Sequence, residues 1–578
     1  MKTIELQLQS GAVEKTYVWT FDEGAAPAEG AEVDATGLGV PTRVRLDRES
    51  SGVYRLEVRA EAAWTDDVVA RLCVPIPASG RLERVAWPTY HGSFERYSLE
   101  RPRSATFRGA GASALALDSS ARLSLPMAVV DGEAGDSAWM AGADPSFTTD
   151  VTIEYGEDEA GAVTFAWKWL AAAGAHRSET RRLFVLPTKD ERAALDEWFL
   201  AATPDVPPGP AWLHDIALTD YDFLSKNGEG WFADIDAACE WIPPEERHRA
   251  IFCLHGWYDE VGSYCFDPTT GDFKERWTAF PYVNHPEVAA LSTEAPRVQD
   301  IPGLYAYAFR NLERYAPVEM SWEDIRRRLE YAKSRGFRTA FYAMTGLQVA
   351  GKKEARLADG SALELEFPLW VGPELLGESY LLNPLHPDVR AFFRRYIEKL
   401  IDKVGDLTDA FVMDEAYYVP YGAMGPAACP GYADRAQLTL VKELADLCHE
   451  ARSTLAFLTA DNLGLSRLEK RAFPYSFYAD GLFTDVMCWP MSWDCFRFPL
   501  WRNTAWSCNW APYSNLNFTR WGVLAHHGNV SWSNGCFGDD MGLAELDDAT
   551  KEEVMELWRA RTRREKEREV RIVDVEER

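Results

Sequence analysis

The sequence predicts a multidomain chain in which an N-terminal antiparallel β-sandwich precedes a (β/α)8 TIM barrel with long βα-loop insertions. Up to about residue 190, short runs such as Val53–Val58 and Val163–Trp169 alternate apolar and polar residues between turns. This pattern is typical of strands with one face in the core and the other exposed to solvent. From Trp212 onward, apolar runs alternate with helical patterns, which indicates parallel strands joined by helices. Eight such repeats favour a barrel.

Changes in composition divide the chain into four parts. Residues 1–188 are predicted to form the sandwich and residues 189–210 a linker. The linker begins as a helix with Leu195, Trp198 and Phe199 on one side and ends in a proline-rich stretch, which is stiff and cannot pair into a sheet. Residues 211–548 are expected to form the barrel, and residues 549–578 a C-terminal helix and tail.

Eight apolar runs are the candidate barrel strands, and helical patterns such as Trp322–Ser334 separate most of them. In chain order these strands are Leu213–Leu218, Ala250–Leu254, Arg338–Ala343, Ala410–Met413, Thr454–Leu458, Gly481–Thr484, Thr504–Ser507 and Val523–Ala525. An open doubly wound sheet is the alternative, but no Gly-x-Gly-x-x-Gly opens any of the helices, which favours the barrel. Insertions at about 257–320 and 346–380 are expected to shape a pocket.

The charge and the hydropathy of the chain exclude several classes of partner. The formal net charge of −29 argues against nucleic acid and against an anionic membrane. No apolar run reaches the roughly 20 residues that cross a bilayer, and the first residues alternate like a strand, unlike a signal peptide. We therefore expect a cytoplasmic protein with a small-molecule substrate, and a homo-oligomer is left open.

Neither a metal nor a cofactor is expected. The ten cysteines include no Cys-x-x-Cys pair, which argues against a zinc or redox motif. His526 and His527 are adjacent but have no companion at metal-ligand spacing.

Acids, amides and indoles predominate among the residues that follow the candidate strands, with almost no Lys or Arg. Carboxylates and amides bind paired hydroxyl groups, and indole faces stack on the ring of a sugar. A small carbohydrate or glycoside is therefore the expected substrate. The predicted substrate-binding residues are Asp220, Asp222, Trp257, Asp259, Asp461, Trp489, Asn509, His526 and Trp532.

The fourth candidate strand leads directly into Asp414 and the sixth into Asp485. A barrel enzyme keeps its chemistry at the carboxyl ends of its strands, and glycosidic cleavage needs one carboxylate at the anomeric carbon and a second carboxyl that protonates the departing oxygen. We predict a glycoside hydrolase with Asp414 as the nucleophile and Asp485 as the general acid/base. Asp461, after strand five, competes with Asp485 for the acid role.

Two other functions stay open. A non-catalytic carbohydrate-binding protein would keep the tryptophans without an opposed pair of carboxylates. A metal-dependent barrel isomerase or hydrolase would use the histidines as ligands. The sugar, the linkage and the anomeric specificity are not given by the residues, and the choice between retention and inversion depends on the separation of the two carboxyl groups.

The motif Asn383-Pro384-Leu385-His386-Pro387, followed by Val389-Arg390 and Phe392 and then by Asp414, resembles the retaining α-glycosidases of glycoside hydrolase families 31 and 36 and their relatives. The resemblance covers most of the chain in architecture and implies a strand-four nucleophile, Asp414, and a strand-six acid/base, Asp485. The sequence departs from family 36, because Val412-Met413 replaces its Lys-x, and from family 31, whose acid signature has only a partial match in Thr459–Asn462.

Overall fold

The computed structural model describes the following residues: 2–22, 30, 32–35, 37–62, 64–78, 81–89, 92–107, 121–132, 138–144, 151–156, 161–169, 178–259, 264–267, 270–279, 317–345, 348–350, 364–368, 379–382, 387–414, 434–462, 478–485, 498, 501, 504–508, 530–534, 542–564 and 570–575.

Two large sheets dominate the N-terminal part, and alternation of buried apolar side chains explains them. In the first strand Ile4, Leu6 and Leu8 are all fully buried, whereas their neighbours are partly exposed. The strands in chain order are β1 (Lys2–Ser10), β2 (Val13–Phe21), β3 (Val33–Asp34), β4 (Thr42–Ser50), β5 (Val53–Ala60), β6 (Val68–Pro75), β7 (Leu82–Pro88), β8 (Ser93–Ser98), β9 (Arg103–Phe107), β10 (Ala121–Leu123), β11 (Met127–Gly132), β12 (Ala138–Ala143), β13 (Val151–Tyr155), β14 (Ala162–Trp169) and β15 (Ser178–Thr188).

The two sheets are antiparallel except at their ends. One has the order β10-β9-β13-β14-β6-β1-β2, with β10 parallel to β9. The other runs β3-β4-β5-β15-β12-β11-β7-β8 and is completed by the C-terminal strand Arg571–Asp574, which lies parallel to β8. The buried side chains of both sheets belong to one continuous hydrophobic core.

Helix α1 (Glu191–Ala202) connects these sheets to the rest of the chain. Asp190 caps it by accepting a hydrogen bond from the backbone N–H of Ala193 at 2.8 Å. Its apolar face buries Leu195, Trp198 and Phe199, and the Trp198 indole donates to the carbonyl oxygen of Ala143 in β12. The helix expected at the start of the linker is therefore present and packs on the second sheet.

The second part of the chain alternates strands and helices. Its strands are β16 (Leu218–Asp222), β17 (Ala250–Leu254), β18 (Phe266–Asp267), β19 (Asp272–Phe273), β20 (Arg276–Ala279), β21 (Val318–Ser321), β22 (Arg338–Thr345), β23 (Gln348–Ala350), β24 (Glu364–Pro368), β25 (Ser379–Leu382), β26 (Ala410–Asp414), β27 (Ala456–Asn462), β28 (Gly481–Asp485), β29 (Thr504–Cys508), β30 (Val530–Asn534) and β31 (Arg571–Asp574). Its helices are α2 (Gly230–Trp241), α3 (Trp322–Ser334), α4 (Pro387–Val404), α5 (Asp434–Ala451) and α6 (Asp548–Arg564), with 3-10 turns at Ala211–Asp215, Lys226–Gly228, Pro244–Arg249 and Leu543–Glu545.

Eight of these strands form one parallel sheet in the order β29-β28-β27-β26-β22-β17-β16-β30. This is the strand order of a (β/α)8 barrel opened between its seventh and eighth strands. The two edge strands, β29 and β30, approach within 8 Å between Cα atoms, but among the described residues no hydrogen-bonded register joins them. Closure of the barrel therefore stays a prediction.

Five predicted strands begin at the residue that the sequence indicates, the strand predicted from Thr454 begins two residues later, at Ala456, and the first and eighth need separate comment. Leu213–Leu218 was expected to be the first strand, whereas Ala211–Asp215 is a 3-10 turn and β16 starts only at Leu218. The turn follows Pro210, and the buried Trp212 indole donates to the carbonyl oxygen of Thr454 at 2.9 Å. The expected eighth strand, Val523–Ala525, lies outside the described residues, and the eighth strand of the sheet is β30.

Parts of the long insertions also have defined structure. The strands β20 and β21 pair across the first insertion, and β23, β25 and β24 form a small sheet in the second. None of the helices in the described part of the chain is long and apolar enough to cross a membrane.

Candidate active site at the carboxyl ends of the parallel strands

Asp414 and Asp485 are the last residues of β26 and β28. The backbone of Asp414 is in register with Thr345 of β22, and that of Asp485 is in register with Asn462 of β27 and Cys508 of β29. The backbone of both aspartates thus lies at the carboxyl edge of the sheet, two strands apart. Their side chains are outside the described residues.

Two buried carboxylates identify which strand positions face the helices. Asp409, immediately before β26, accepts two hydrogen bonds from Lys333 Nζ of α3 at 2.9 Å each. Asp480, immediately before β28, lies 2.9 Å from His449 Nε2 of α5. Because successive residues of a strand alternate between faces, positions 414 and 485 both fall on the opposite, inner face of the sheet.

The same alternation separates Asp461 from Asn462 on β27. Phe411 and Phe457 are in register, and Phe411 has the helix-facing parity of Asp409. Position 461 shares that parity, whereas position 462 falls on the inner face together with 414 and 485. The register therefore favours Asp485 over Asp461 as the partner of Asp414.

Asp220 and Asp222 lie within β16, although the sequence predicted them beyond its end. Both are 1% exposed. Asp220 is in register with Phe252, whose ring contacts Trp231 of α2 at 6.0 Å between centroids, so this side of β16 faces α2. Substrate binding by these two residues, which the sequence predicted, is not supported by this placement, because a residue on the helix side is separated from the inner face by the sheet.

Trp257 and Asp259 are engaged in packing and in loop structure. The Trp257 side chain is fully buried, and its indole donates to the carbonyl oxygen of Tyr342 at 2.7 Å. Asp259 accepts from the backbone N–H of Cys265 at 2.8 Å and pairs with Lys274 Nζ at 2.5 Å. Each side chain therefore has a structural role in holding the loop after β17.

Of the remaining predicted substrate-binding residues, the structure describes the side chain of Trp532 only. Trp532, 1% exposed, is in register with Asp220 and so shares the helix-facing side of the sheet. Trp489, Asn509 and His526 lie outside the described residues, as does the side chain of Asp461. Their roles stay predictions.

An aromatic cluster on the inner face includes Tyr221, which the sequence analysis did not predict as a site residue. Tyr221 alternates with the helix-facing Asp220 and Asp222, and its ring lies 5.2 Å from His255. His255 also contacts Phe223 at 4.1 Å and Tyr342 at 3.8 Å between ring centroids. Its full burial holds the pKa of His255 well below the usual value, so the imidazole is neutral at pH 7. Alternation along the correct strand β16 would have predicted Tyr221.

Backbone strain is concentrated in the turn that follows β16. Leu224, Lys226 and Asn227 have φ angles of 59°, 51° and 56°, a region that side-chain-bearing residues rarely adopt. The turn is held by Asp222 Oδ1, which accepts from Ser225 N and Oγ, and by Arg328 Nη2, which donates to the carbonyl oxygen of Gly228. These contacts fix the chain at the carboxyl end of the first parallel strand.

The described part of the chain thus combines N-terminal antiparallel sheets with an eight-stranded parallel sheet that has two aspartates at its carboxyl edge. No protein-family model matches the sequence, and no curated protein matches it. Solved structures that resemble it include the glycoside hydrolase family 36 α-galactosidase AgaA from Geobacillus stearothermophilus, with 9% identity and a TM-score of 0.48 over 98% of this chain and 75% of that chain.

Two further α-galactosidases show a similar degree of likeness. The enzyme TtGalA from Thermus thermophilus has 13% identity and a TM-score of 0.43 over 92% of this chain and 94% of its own. The enzyme from Lactobacillus brevis has 9% identity and a TM-score of 0.45 over 96% of this chain and 70% of its own.

Proposed function

We propose that this chain is a glycoside hydrolase that cleaves α-glycosides with retention, using Asp414 as nucleophile and Asp485 as general acid/base. The observation that carries the proposal is the strand register: both residues end parallel strands at the same edge, and both positions share the inner face. The preference for α-glycosides rests on the resemblance of the Asn383–Phe392 motif to families 31 and 36.

The register also sets a scale for the site. Met413 is in register with Thr459, so position 414 falls beside 460, two residues short of the Asn462 that pairs with Asp485. Strands about 4.8 Å apart with a rise of about 3.3 Å per residue put the two Cα atoms roughly 12 Å apart in a flat sheet. Curvature shortens this distance, and two carboxyl groups that converge from such positions enclose a space of sugar size.

The proposed reaction has two steps. The Asp414 carboxylate attacks the anomeric carbon while the Asp485 carboxyl group protonates the departing oxygen, which gives a covalent glycosyl-enzyme. Asp485, now ionised, then takes a proton from water as the water attacks the anomeric carbon, and Asp414 is released. The neutral aromatic cluster around His255 is proposed to line the inner face near this site, because Tyr342 is in register with Val412, two residues before Asp414.

Hydrolysis of a panel of aryl α- and β-glycosides by the wild type and by three matched variants tests the proposal. Asp414→Asn is expected to lower kcat/KM by about 1000-fold or more, since it removes the nucleophile. Asp485→Asn is expected to lower it by about 100- to 10,000-fold for substrates with poor leaving groups and less for good ones, because these need no protonation.

Asp406→Asn is the control, since it makes the same substitution at an exposed carboxylate that pairs with Arg326 at the surface. It is expected to retain activity within about threefold. The proposal fails if no aryl glycoside is hydrolysed by the wild type, or if Asp414→Asn and Asp406→Asn are equally active. Sugar binding without any turnover would instead indicate a non-catalytic carbohydrate-binding protein.

A further inference from the structure

Asp480 is a buried carboxylate that the proposed reaction does not use. It immediately precedes β28 and is 3% exposed. Its Oδ2 accepts from the backbone N–H of Phe457 in β27 at 2.8 Å and lies 2.9 Å from Nε2 of His449 in the last turn of α5. The backbone N–H of Asp480 donates in turn to the carbonyl oxygen of Phe457 at 2.9 Å. The carboxylate therefore joins the end of α5 to the starts of two neighbouring strands.

The linker between the two parts of the chain packs against the same residue. A Cβ atom added at Gly209 would lie 2.7 Å from the carbonyl oxygen of Asp480 and 3.1 Å from its Cβ, so only glycine allows this close approach. Three residues later, the Trp212 indole donates to the carbonyl oxygen of Thr454, just before β27. The contact between His449 and Asp480 thus lies at the junction of the linker, α5 and the parallel sheet.

The contact is strongest while the imidazole is protonated. The His449 side chain is 19% exposed and that of Asp480 is 3% exposed, and an ionised carboxylate so deep in the interior needs a counter-charge or donors. The N–H of Phe457 and a protonated His449 both act as donors to ionised Asp480. Loss of the proton removes the positive charge and leaves a hydrogen bond only in the tautomer that carries hydrogen on Nε2.

The charges along α5 and at the start of β28 favour the protonated form. The hydrogen bond to Asp480 raises the pKa of His449, burial lowers it, and the charges of Asp480 and Asp446 raise it again. Lys442 acts in the opposite direction, but it is itself paired with Asp446 at 2.6 Å. The resulting pKa of His449 lies above the usual value.

The neighbouring elements bring further ionisable groups to this end of α5. Arg390 of α4 pairs with Glu443 of α5, and Arg452 donates to the carbonyl oxygen of Thr408 before β26. Burial and the charge of Asp480 raise the pKa of the Cys448 thiol well above its usual value, against the effect of Arg452, so the thiol stays neutral. Histidine is the side chain whose ordinary pKa lies near neutrality, and His449 is therefore the member of this set whose charge changes there.

We propose that His449 and Asp480 form a pH-responsive clamp, which holds the last turn of α5 and the linker against the start of β28 while the imidazole is protonated and loosens this junction when the proton is lost. The clamp acts at the beginning of the strand that ends in Asp485 and at the segment that joins the two parts of the chain. It does not depend on the glycosidase assignment, because protection of the backbone reports it without any turnover.

The direction of the pH effect follows from proton linkage. His449 binds its proton more tightly in the folded protein than in the unfolded chain, so the clamp stabilises the fold fully below the unfolded pKa of about 6.5. This stabilisation is lost as the pH rises through the higher pKa of the folded protein. Between the two pKa values, the folded-to-unfolded ratio falls by up to about tenfold per pH unit.

Hydrogen exchange of the full-length chain, measured at pH 5.5, 6.5, 7.5 and 8.5 and corrected for the intrinsic rate, tests the clamp. In the wild type, the amides of residues 446–451 and 480–482 are expected to lose about fivefold or more of their protection between pH 5.5 and pH 8.5. His449→Gln keeps an N–H donor but never carries a charge. This variant is expected to remove most of the change and to resemble the wild type at pH 8.5 throughout.

His248→Gln is the matched control, because the His248 side chain is exposed and its contact with Arg338 is made by the backbone carbonyl oxygen. It is expected to keep the wild-type pH profile. The clamp is refuted if the two wild-type segments have the same protection at pH 5.5 and pH 8.5, a result that needs no variant to fold. It is also refuted if His449→Gln and His248→Gln share one profile.

Discussion

Asp409 and Lys333 illustrate how single residues fix the parallel sheet to its helices. Asp409 is 8% exposed as a side chain and accepts from Lys333 Nζ, while its Oδ2 also accepts from the backbone N–H of Thr339 at 3.0 Å. Removing one partner of such a buried ion pair leaves the charge of the other without a counter-charge, which is destabilising. The pair therefore stabilises the start of the strand that carries Asp414.

Asp409→Ala is expected to lower the free energy of unfolding by about 2 kcal/mol, because it leaves the Lys333 ammonium group and the Thr339 N–H without their acceptor. The Lys333 side chain is 31% exposed, so water can solvate its ammonium group in the variant, which limits the loss of stability. Urea unfolding followed by tryptophan fluorescence measures the effect. The control is Asp406→Ala, since Asp406 is 62% exposed and pairs with Arg326; a loss below about 1 kcal/mol is expected there. Equal losses in both variants would contradict this role.

At the residue scale, the position of a candidate site residue is predicted correctly only where the end of its strand is also predicted correctly. Asp414 follows an apolar run whose limits the structure changes by a single residue. Asp220 and Asp222 were misplaced because the strand was predicted at Leu213–Leu218, which moved both carboxylates from within β16 to a loop. Trp257 was predicted to bind substrate because sequence composition does not distinguish a buried indole from an accessible one.

At the element scale, the strands that were predicted best are those that precede or follow an amphipathic helix with a clear stop. The helix α4 ends at Val404, just before Gly405, and β26 follows within a few residues. The first strand is preceded by the 3-10 turn Ala211–Asp215 instead of such a helix, and there the periodicity of a short apolar run does not determine the boundary.

The C-terminal strand β31 is an element that sequence patterns did not identify. It was predicted only as a tail, yet it pairs in parallel with β8, and Val575 N donates to the carbonyl oxygen of Arg96 at 3.0 Å. The pairing joins positions about 480 residues apart in the chain, as in Arg571 with Ser93. Short-range periodicity carries no information about such a partner.

Truncation after Arg564 is expected to remove β31 and to expose the edge of β8. The amides of Phe94–Tyr97 should then exchange about tenfold faster or more, whereas those of the central strands should not change. Hydrogen exchange with mass spectrometry measures this. Asp574→Ala is the control, since Asp574 is 75% exposed and its loss leaves the backbone pairing intact. Unchanged protection of β8 in the truncated chain would contradict the pairing.

At the scale of the whole molecule, the N-terminal part contacts the segment that joins two strands of the parallel sheet. The ring of Phe94 in β8 lies 5.1 Å from that of Phe498, and the Trp501 indole donates to Asp196 Oδ1 of α1 at 2.8 Å. Both Phe498 and Trp501 lie between β28 and β29, so β8 and α1 pack against the connection between these two strands. The sequence predicted the two architectures but not this contact, because it depends on how the two parts assemble.

The most direct measurement of the central claim is to trap the glycosyl-enzyme with a fluorinated glycosyl fluoride of the best aryl-glycoside substrate, followed by peptide mass spectrometry. A retaining mechanism with Asp414 as nucleophile predicts one fluoroglycosyl group on the peptide that contains Asp414, with loss of activity in step with labelling and no label in Asp414→Asn. A label on another carboxylate, or continued turnover with no covalent adduct, would contradict the assignment.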